Sequence, residues 1–265
     1  MRLCTFLDAG RTRLGSIRGE GVHPLDGRDV RDALDGLPAE AGDPLPLEGL
    51  RLAPPLVPGK LLGVGHNYRA HALERGVPIP VEPVIFSKLV TSVTGPADDI
   101  VRPSYTRELD YEGELAVVIG TRAKDVAEAD ALSHVFGYAV MNDLTARDRQ
   151  RTEPQWTRAK GGDTFGPFGP WVTTADEVAD PQALTVRTWV GGDLRQDAST
   201  GDMMFGVAAL IAWCSASFTL EPGDVITTGT PAGVGEARDP QAFLQPGDVV
   251  RVEIDGLGAL ENSVR

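Results

Sequence analysis

The chain has 265 residues, and its 25 Lys and Arg against 38 Asp and Glu give a net charge of −13 at pH 7. This excess of negative charge argues against nucleic acid and anionic membrane surfaces as partners. No apolar run approaches the roughly 20 residues of a membrane span, and no signal peptide is recognised, so we expect a soluble, cytoplasmic protein. The distant cysteines Cys4 and Cys214 lack metal-binding spacing and are expected to be reduced thiols. The 31 Gly and 20 Pro favour turns and short strands.

The start of the chain predicts a small, turn-rich unit without evident chemistry. Residues 3–7 and 13–17 have the composition of strands, residues 30–37 predict a short helix, and a proline-rich linker follows. We therefore predict an N-terminal domain over 1–55 and a second, larger domain over 56–265.

The second domain opens with a buried strand over 60–65 and a short helix. Asn67 is the expected N-cap of this helix, and Gly76 its expected C-terminal stop. His71 and Glu74 lie three residues apart and so share one helix face. A carboxylate beside an imidazole orients it as a general base, although an ordinary exposed pair has the same spacing.

Carboxylates accompany two further strands. Asp110, Glu112 and Glu114 lead into a Val- and Ile-rich strand that ends at Ile119, and strand alternation predicts that the three share one face. Either the polar end of this strand faces water, or a hard divalent cation lies between the carboxylates. Asp143 ends a predicted strand and either caps the following helix or completes such a metal site.

The last third of the chain is rich in small residues. Residues 160–170 hold too many Gly and Pro for regular structure, and Lys160 is either a solvated loop cation or a catalytic one. Pro-Gly turns at 222–223 and 246–247 each launch a predicted strand. The loop over 227–235 would let backbone amides approach an anion, but it does not match a dinucleotide fingerprint.

Five motifs follow one another in a fixed order from about residue 60 to the C-terminus. They are Gly65-His66-Asn67-Tyr68 with His71 and Glu74, Asp110-Tyr111-Glu112-Gly113-Glu114, Met141-Asn142-Asp143 through Asp148, Lys160-Gly161-Gly162-Asp163-Thr164, and Thr228 through Gly235. In this order they resemble the fumarylacetoacetate hydrolase family. The resemblance implies an α+β, β-rich fold, a mixed sandwich-like roll with a small N-terminal α+β unit, usually in a homodimer.

The same resemblance implies the roles of individual residues. It implies Mg²⁺ or Mn²⁺ held by Glu112, Glu114 and Asp143. It makes His71 and Glu74 a water-activating dyad on a lid, with a cation close to the substrate carbonyl. That cation is Lys160, and the substrate-binding candidates are Asn67, Tyr68, Arg147, Gln150 and Thr230.

Three functions remain open on this basis. The leading one is a metal-dependent hydrolase that cleaves a C–C bond in an acylpyruvate or fumarylpyruvate type of oxo acid, through an enolate that the metal stabilises. The alternative is an isomerase or decarboxylase of a 2-hydroxy-dienedioate or oxaloacetate-like substrate in aromatic-compound catabolism. The third is a catalytically silent relative that only binds a metabolite.

Overall fold

A computed structural model describes all of residues 1–265 as a β-rich chain with short helices. The α-helices are α1 (Arg69–Glu74), α2 (Arg147–Thr152), α3 (Thr157–Lys160) and α4 (Val207–Ser217). Short 3-10 helices cover Val30–Ala33, Val90–Ser92, Glu128–His134, Ala175–Glu177, Thr200–Asp202 and Gly235–Ala237. The strands are β1 (Arg2–Asp8), β2 (Arg11–Arg18), β3 (Gly21–Pro24), β4 (Leu45–Pro46), β5 (Leu52–Ala53), β6 (Leu61–Gly65), β7 (Val84–Lys88), β8 (Val93–Thr94), β9 (Leu109–Asp110), β10 (Gly113–Ile119), β11 (Val135–Asn142), β12 (Thr145–Ala146), β13 (Gly166–Thr174), β14 (Thr185–Val190), β15 (Asp193–Ser199), β16 (Val225–Thr227), β17 (Val249–Ile254) and β18 (Gly258–Ser263).

One large mixed sheet organises the molecule. Ten of its twelve strands run in the order β4-β3-β2-β1-β13-β11-β10-β16-β6-β7, while β5 pairs with β1 and β8 with β13. Most neighbours are antiparallel, but β16 runs parallel to β6 and β13 parallel to β8. A four-stranded sheet of order β15-β14-β17-β18 and the pair β12-β9 complete the fold. The expected β-rich α+β fold is confirmed.

The large sheet is covered on both faces, which explains the continuous apolar sequence of β10. Leu115 and Val117 belong to the main core of 32 buried residues, which also contains residues of α4 and the four-stranded sheet. Ala116 and Val118 point to the opposite face and join a second core with residues of the N-terminal unit. A strand buried on both sides cannot show polar alternation.

The predicted elements near the site are present, with three differences. The helix predicted over 30–37 is a single 3-10 turn. Asn67 does not cap α1, because its amide instead donates to two distant carbonyls, and Tyr68 holds the N-cap position without a side-chain bond. The segment expected to be irregular contains the first part of β13, since pairing with β8 and β11 offsets the low strand preference of Gly and Pro. Gly76 does end α1, with a left-handed φ of 64°.

The N-terminal unit is joined to the rest through the large sheet. Strand β1 pairs with β13 through Arg2 and Thr173 and through Leu3 and Val172. The domain boundary predicted near residue 55 therefore lies within a shared sheet, and it stays a prediction. None of the helices is both long and apolar enough to cross a membrane.

Candidate active site

Three buried carboxylates meet where two central strands end. Glu112 immediately precedes β10, Glu114 is its second residue, and Asp143 directly follows β11. The antiparallel register pairs Gly113 with Asn142, and the Asp143 amide donates to the Glu112 carbonyl at 2.8 Å. Sheet pairing thus brings together residues that are some 30 positions apart in sequence.

The acidic triad (Glu112, Glu114 and Asp143) has the geometry and chemistry of a divalent-metal site. Each residue offers one carboxylate oxygen, and these oxygens lie within 4.8 Å of one another. Around an octahedral ion with oxygen ligands at about 2.1 Å, ligand atoms lie about 3 to 4.2 Å apart. The triad therefore fits a hard divalent ion with little adjustment. The alternative that Asp143 caps a helix is excluded, because α2 begins only at Arg147.

Two lysines neutralise one side of the triad. The Lys160 ammonium donates to Glu112 Oε2 and Asp143 Oδ2, both at 2.6 Å. The Lys88 ammonium donates to the other oxygen of Asp143 at 2.6 Å, and also to the carbonyls of Lys160 and Phe165. Burial works against the charge of Lys160, but Asp143 and Glu112 more than offset it and raise its pKa. The loop-cation alternative for Lys160 is thereby excluded, since only 2% of its side chain is exposed.

Glu114 has no such cation. Its Oε2 accepts hydrogen bonds from the Thr227 hydroxyl and, at 2.7 Å, from the Gly229 amide. Burial and then the charges of Asp143 and Glu112 raise its pKa well above the usual value of a glutamate. For Glu112, burial also disfavours the charge, but Lys160 and Arg147 hold its pKa below the usual range. Glu114 is thus the member of the triad that most lacks a positive neighbour.

Asp110 departs from the predicted pattern. The chain is not one strand from Asp110 to Glu114, since β9 ends at Asp110 and β10 begins only at Gly113. The Asp110 carboxylate accepts from Arg147 Nε at 2.9 Å and from the Gly235 and Glu236 amides. The prediction of one continuous strand is therefore wrong, and Asp110 lies outside the acidic triad, where it contacts the same arginine as Glu112.

Residues 68–76, which the resemblance makes a lid and which are called the lid segment below, contribute the dyad that the spacing predicts. His71 Nδ1 lies 2.8 Å from Glu74 Oε1, and Glu74 Oε2 accepts from the Gly233 amide at 2.8 Å. Only 2% of His71 is exposed, so the alternative of an exposed surface pair is excluded. The Glu74 bond orients the imidazole and leaves Nε2 free to exchange a proton.

His71 and one member of the acidic triad, Glu112, line one enclosed cavity. Its walls include His66, His71, Glu112, Gln150, Lys160 and Thr230. A larger groove on the outer side of α1 is lined by Tyr68, Leu73 and Met204 and includes none of the triad. The chemistry therefore belongs to the smaller, enclosed cavity.

The five predicted substrate-binding residues fall into two groups. Gln150 and Thr230 line the cavity, and Arg147 donates to the Gln150 side chain at 3.0 Å. Arg147 also lies 2.6 Å from Glu112 Oε1, although the two groups are not aligned for a hydrogen bond. Asn67 and Tyr68 are buried beside the cavity and do not line it. Substrate contact by these five residues stays a prediction.

Several residues of the site were not found from sequence. Lys88 ends β7 and would have been visible only as a lysine closing an apolar strand. Thr227, Arg75 and Glu236 carry no local signal of a functional role. Each enters the site through contacts with residues more than 70 positions away.

Comparisons with known proteins identify the family of the chain. The family model described as Fumarylacetoacetate (FAA) hydrolase C-terminal matches residues 60–265, and one described as Rv2993c-like, N-terminal matches residues 1–55. Oxaloacetate tautomerase fahd2, mitochondrial, from Xenopus laevis is 50% identical over 215 residues, which cover 80% of this chain and 67% of that protein.

Solved structures show the same fold over the whole chain. Fumarylacetoacetate hydrolase from psychrophilic Exiguobacterium antarcticum is 39% identical with a TM-score of 0.92, covering 100% of this chain and 99% of that one. The 2-hydroxyhepta-2,4-diene-1,7-dioate isomerase from Mycobacterium marinum is 39% identical with a TM-score of 0.86, covering 100% and 98%.

Proposed function

Because the chain belongs to the fumarylacetoacetate hydrolase family, we propose that it is a divalent-metal enzyme that moves a proton at the carbon beside the oxo group of an oxo acid. The reaction class would be tautomerisation or isomerisation. The observation that carries the proposal is the His71–Glu74 dyad, whose buried imidazole lines one enclosed cavity with Lys160 and with Glu112 of the acidic triad. The names of two similar proteins, an oxaloacetate tautomerase and a dienedioate isomerase, point the same way.

The dyad is suited to act as the base. Glu74 accepts from Nδ1, so the Nε2 lone pair of His71 takes the proton from the carbon next to the oxo group. The electron pair left on that carbon moves to the oxo oxygen and forms an enolate. The His71 imidazolium then returns the proton, either to the enolate oxygen or to a more distant carbon of a conjugated substrate.

Lys160 is placed to stabilise the negative charge that develops. Two of its three N–H bonds are directed to Glu112 and Asp143, which hold the ammonium in a fixed position. The third remains for a substrate oxygen. A fixed donor in a site shielded from water stabilises an enolate more strongly than solvent would.

Glu112, Glu114 and Asp143 would hold Mg²⁺ or Mn²⁺, because all three donors are hard carboxylate oxygens. When bound, the ion supplies a Lewis acid for adjacent oxo and carboxylate oxygens of the substrate. The His71–Glu74 dyad and Lys160 keep the roles described above, since neither the imidazole nor Glu74 belongs to the donor set.

Hydrolytic cleavage of an acylpyruvate or fumarylpyruvate is the second candidate. The same dyad can deprotonate a water molecule that attacks the remote carbonyl, after which the C–C bond breaks and the enolate leaves. The likeness to the Exiguobacterium antarcticum fumarylacetoacetate hydrolase favours this candidate. The two reactions differ in whether water is added to the substrate.

Product analysis separates these reactions. We would incubate the protein and Mn²⁺ with oxaloacetate, a 2-hydroxy-dienedioate and an acylpyruvate in D₂O, and follow mass and deuterium content against enzyme-free and chelator controls. Deuterium uptake or isomer formation at constant carbon skeleton, lost in His71→Ala, supports the proposal. An acid plus pyruvate supports hydrolysis, and carbon dioxide release supports decarboxylation. Absence of turnover on every substrate contradicts an enzymatic role on these oxo acids.

A further inference from the structure

We propose that Arg75 selects substrates that carry a second carboxylate, so that the oxo acid is a dianion bound between the acidic triad and the lid segment. This inference rests on the proposed function and specifies its substrate class. Arg75 directly follows Glu74 and lines the same cavity as His71, Lys160 and Gln150.

Arg75 is mostly buried and has few hydrogen bonds. Its side chain is 10% exposed, and its one aligned hydrogen bond runs from Nη2 to Gln150 Oε1 at 3.1 Å. Glu236 Oε2 lies 2.7 Å from the same nitrogen, but the two are not aligned for a hydrogen bond. A guanidinium carries five N–H donors, and buried polar groups are normally paired. Nε and Nη1 of Arg75 therefore remain available to a ligand.

The cations around the cavity differ in how many carboxylates of the protein contact them. Arg147 is bound by Asp110 and Glu112, and Lys160 by Glu112 and Asp143. Glu236, the carboxylate closest to Arg75, is shared with Arg151 at 2.5 Å and lies 3.6 Å from Arg147 Nε. Arg75 thus has a single carboxylate neighbour, Glu236, and shares it with two other arginines, whereas Arg147 and Lys160 each contact at least two carboxylates.

A second polar group on the same wall lacks a partner. His66 has a left-handed backbone with φ of 54°, which is rare for a residue with a side chain, and its buried Nδ1 makes no hydrogen bond. Its ring stacks on His71 at 5.8 Å. Burial, followed by the charge of Arg75, lowers the pKa of His66 to about 4, so the ring is a neutral hydrogen-bonding group.

These features suit a carboxylate. The fork of a guanidinium matches the two oxygens of a carboxylate, and this geometry discriminates against an ester, which has neither the charge nor the second free oxygen. A dianionic oxo acid would place its oxo-acid end at Lys160 and the acidic triad and its far carboxylate at Arg75. Closure of the lid segment and recognition of the far carboxylate would then involve the same residue.

The test compares oxaloacetate with its 4-methyl ester in the presence of Mn²⁺. Wild-type protein is expected to prefer the dianion, and Arg75→Gln to lower the ratio of kcat/KM for dianion over ester by on the order of 100-fold. Arg75→Lys should recover only part of that ratio, because a lysine keeps the charge and loses the fork. Equal losses on both substrates, or an unaltered ratio, would overturn the inference and indicate that Arg75 only holds the lid segment.

A binding measurement keeps this test separate from the proposed function. Calorimetry with succinate and monomethyl succinate needs no turnover, and Arg75→Gln is expected to remove the preference for succinate. Glu236→Gln removes the competing carboxylate and is expected to strengthen the preference several-fold. If wild-type protein turns over no oxo acid but still prefers succinate through Arg75, the proposed reaction fails and the dianion site stands. If wild-type protein shows no preference for succinate, the inference fails.

Discussion

The acidic triad and the lid segment contribute to one cavity but are built differently. The triad lies on adjacent central strands of a twelve-stranded sheet, with both faces covered by apolar cores. The lid segment is a six-residue helix held to the opposite loop by Glu74 and Gly233 and by Arg75 and Glu236. The proposed metal ligands are thus held within a large sheet, while the proposed base and the proposed selecting cation are on a short helix outside that sheet.

This difference teaches how one site can combine precision with access. Electrostatic stabilisation requires groups that do not reorganise during the reaction. Substrate entry into an enclosed cavity requires a part that moves. Variants of the two regions are therefore expected to separate metal affinity and stability from turnover.

The largest effect is expected for Glu114→Ala. Removing one of three carboxylates should weaken Mn²⁺ binding by at least about 100-fold, because the remaining two are already paired with lysines. Titration calorimetry measures the change, and the fold should persist by circular dichroism. Glu221→Ala, an exposed glutamate outside the cavity, is the control. Unchanged Mn²⁺ affinity in Glu114→Ala would eliminate the proposed metal site.

His71→Ala tests whether the lid segment contributes to turnover without contributing to Mn²⁺ affinity. We expect kcat to fall by about 10² to 10⁴-fold, the usual contribution of a general base, with Mn²⁺ affinity close to wild type. Steady-state rates and calorimetry on the same preparations give both values. His134→Ala, a half-buried histidine outside the cavity, is the matched control. Wild-type turnover in His71→Ala would show that the base lies elsewhere.

Lys88→Met should affect stability more than any change in the lid segment. The Lys88 ammonium is fully buried against Asp143 and two carbonyls. Removing one partner of a buried ion pair typically costs about 3 to 5 kcal/mol of unfolding free energy. Urea unfolding measures this loss, with Lys124→Met on the surface as control. A loss below about 1 kcal/mol would mean that Asp143 is adequately held by Lys160 alone.

The smallest expected effect is a pH dependence of folding stability that is due to His66. The imidazole titrates near 6.5 when unfolded and at about 4 in the folded protein. Between these values the unfolded state binds more protons, so folding stability contributed by neutral His66 is lost as pH falls from about 6.5 to about 4. His66→Gln should reduce this loss, which thermal melts across that range would detect. Parallel melting curves for both proteins would exclude the effect.

Sequence predicted more of the sheet than of the cavity. Strands such as β6 and β10 could be predicted from the sequence because a buried strand needs a run of Val, Leu and Ile whatever surrounds it. Glu112, Glu114 and Asp143 could be predicted as one group through the family resemblance. The structure explains why they meet, because the paired ends of β10 and β11 bring them together. The positions of Lys88 and Arg75 depend on partners more than 50 residues away, which local patterns do not contain.

Two errors have the same physical origin. The periodicity predicts one strand from Asp110 to Ile119, whereas the chain breaks between β9 and β10 and leaves Asp110 outside the acidic triad, bound to Arg147. The Gly and Pro content of residues 160–170 predicted irregular structure, whereas neighbouring strands impose β13 on part of it. In both cases, pairing with distant strands overrode a local preference.

The N-terminal unit and the large sheet share the second core, so removing this unit would affect the rest of the protein. That core joins residues of the N-terminal unit to the face of the large sheet opposite the main core. A fragment beginning at residue 56 would uncover this apolar face and leave the edge of β13 without its partner β1, and exposed edges and apolar faces promote aggregation. The N-terminal unit therefore protects the sheet that carries the site, and the two parts should unfold in one cooperative transition. The apolar residues that it covers include Leu61, Ala116, Val118, Ala139, Met141, Phe168 and Val172.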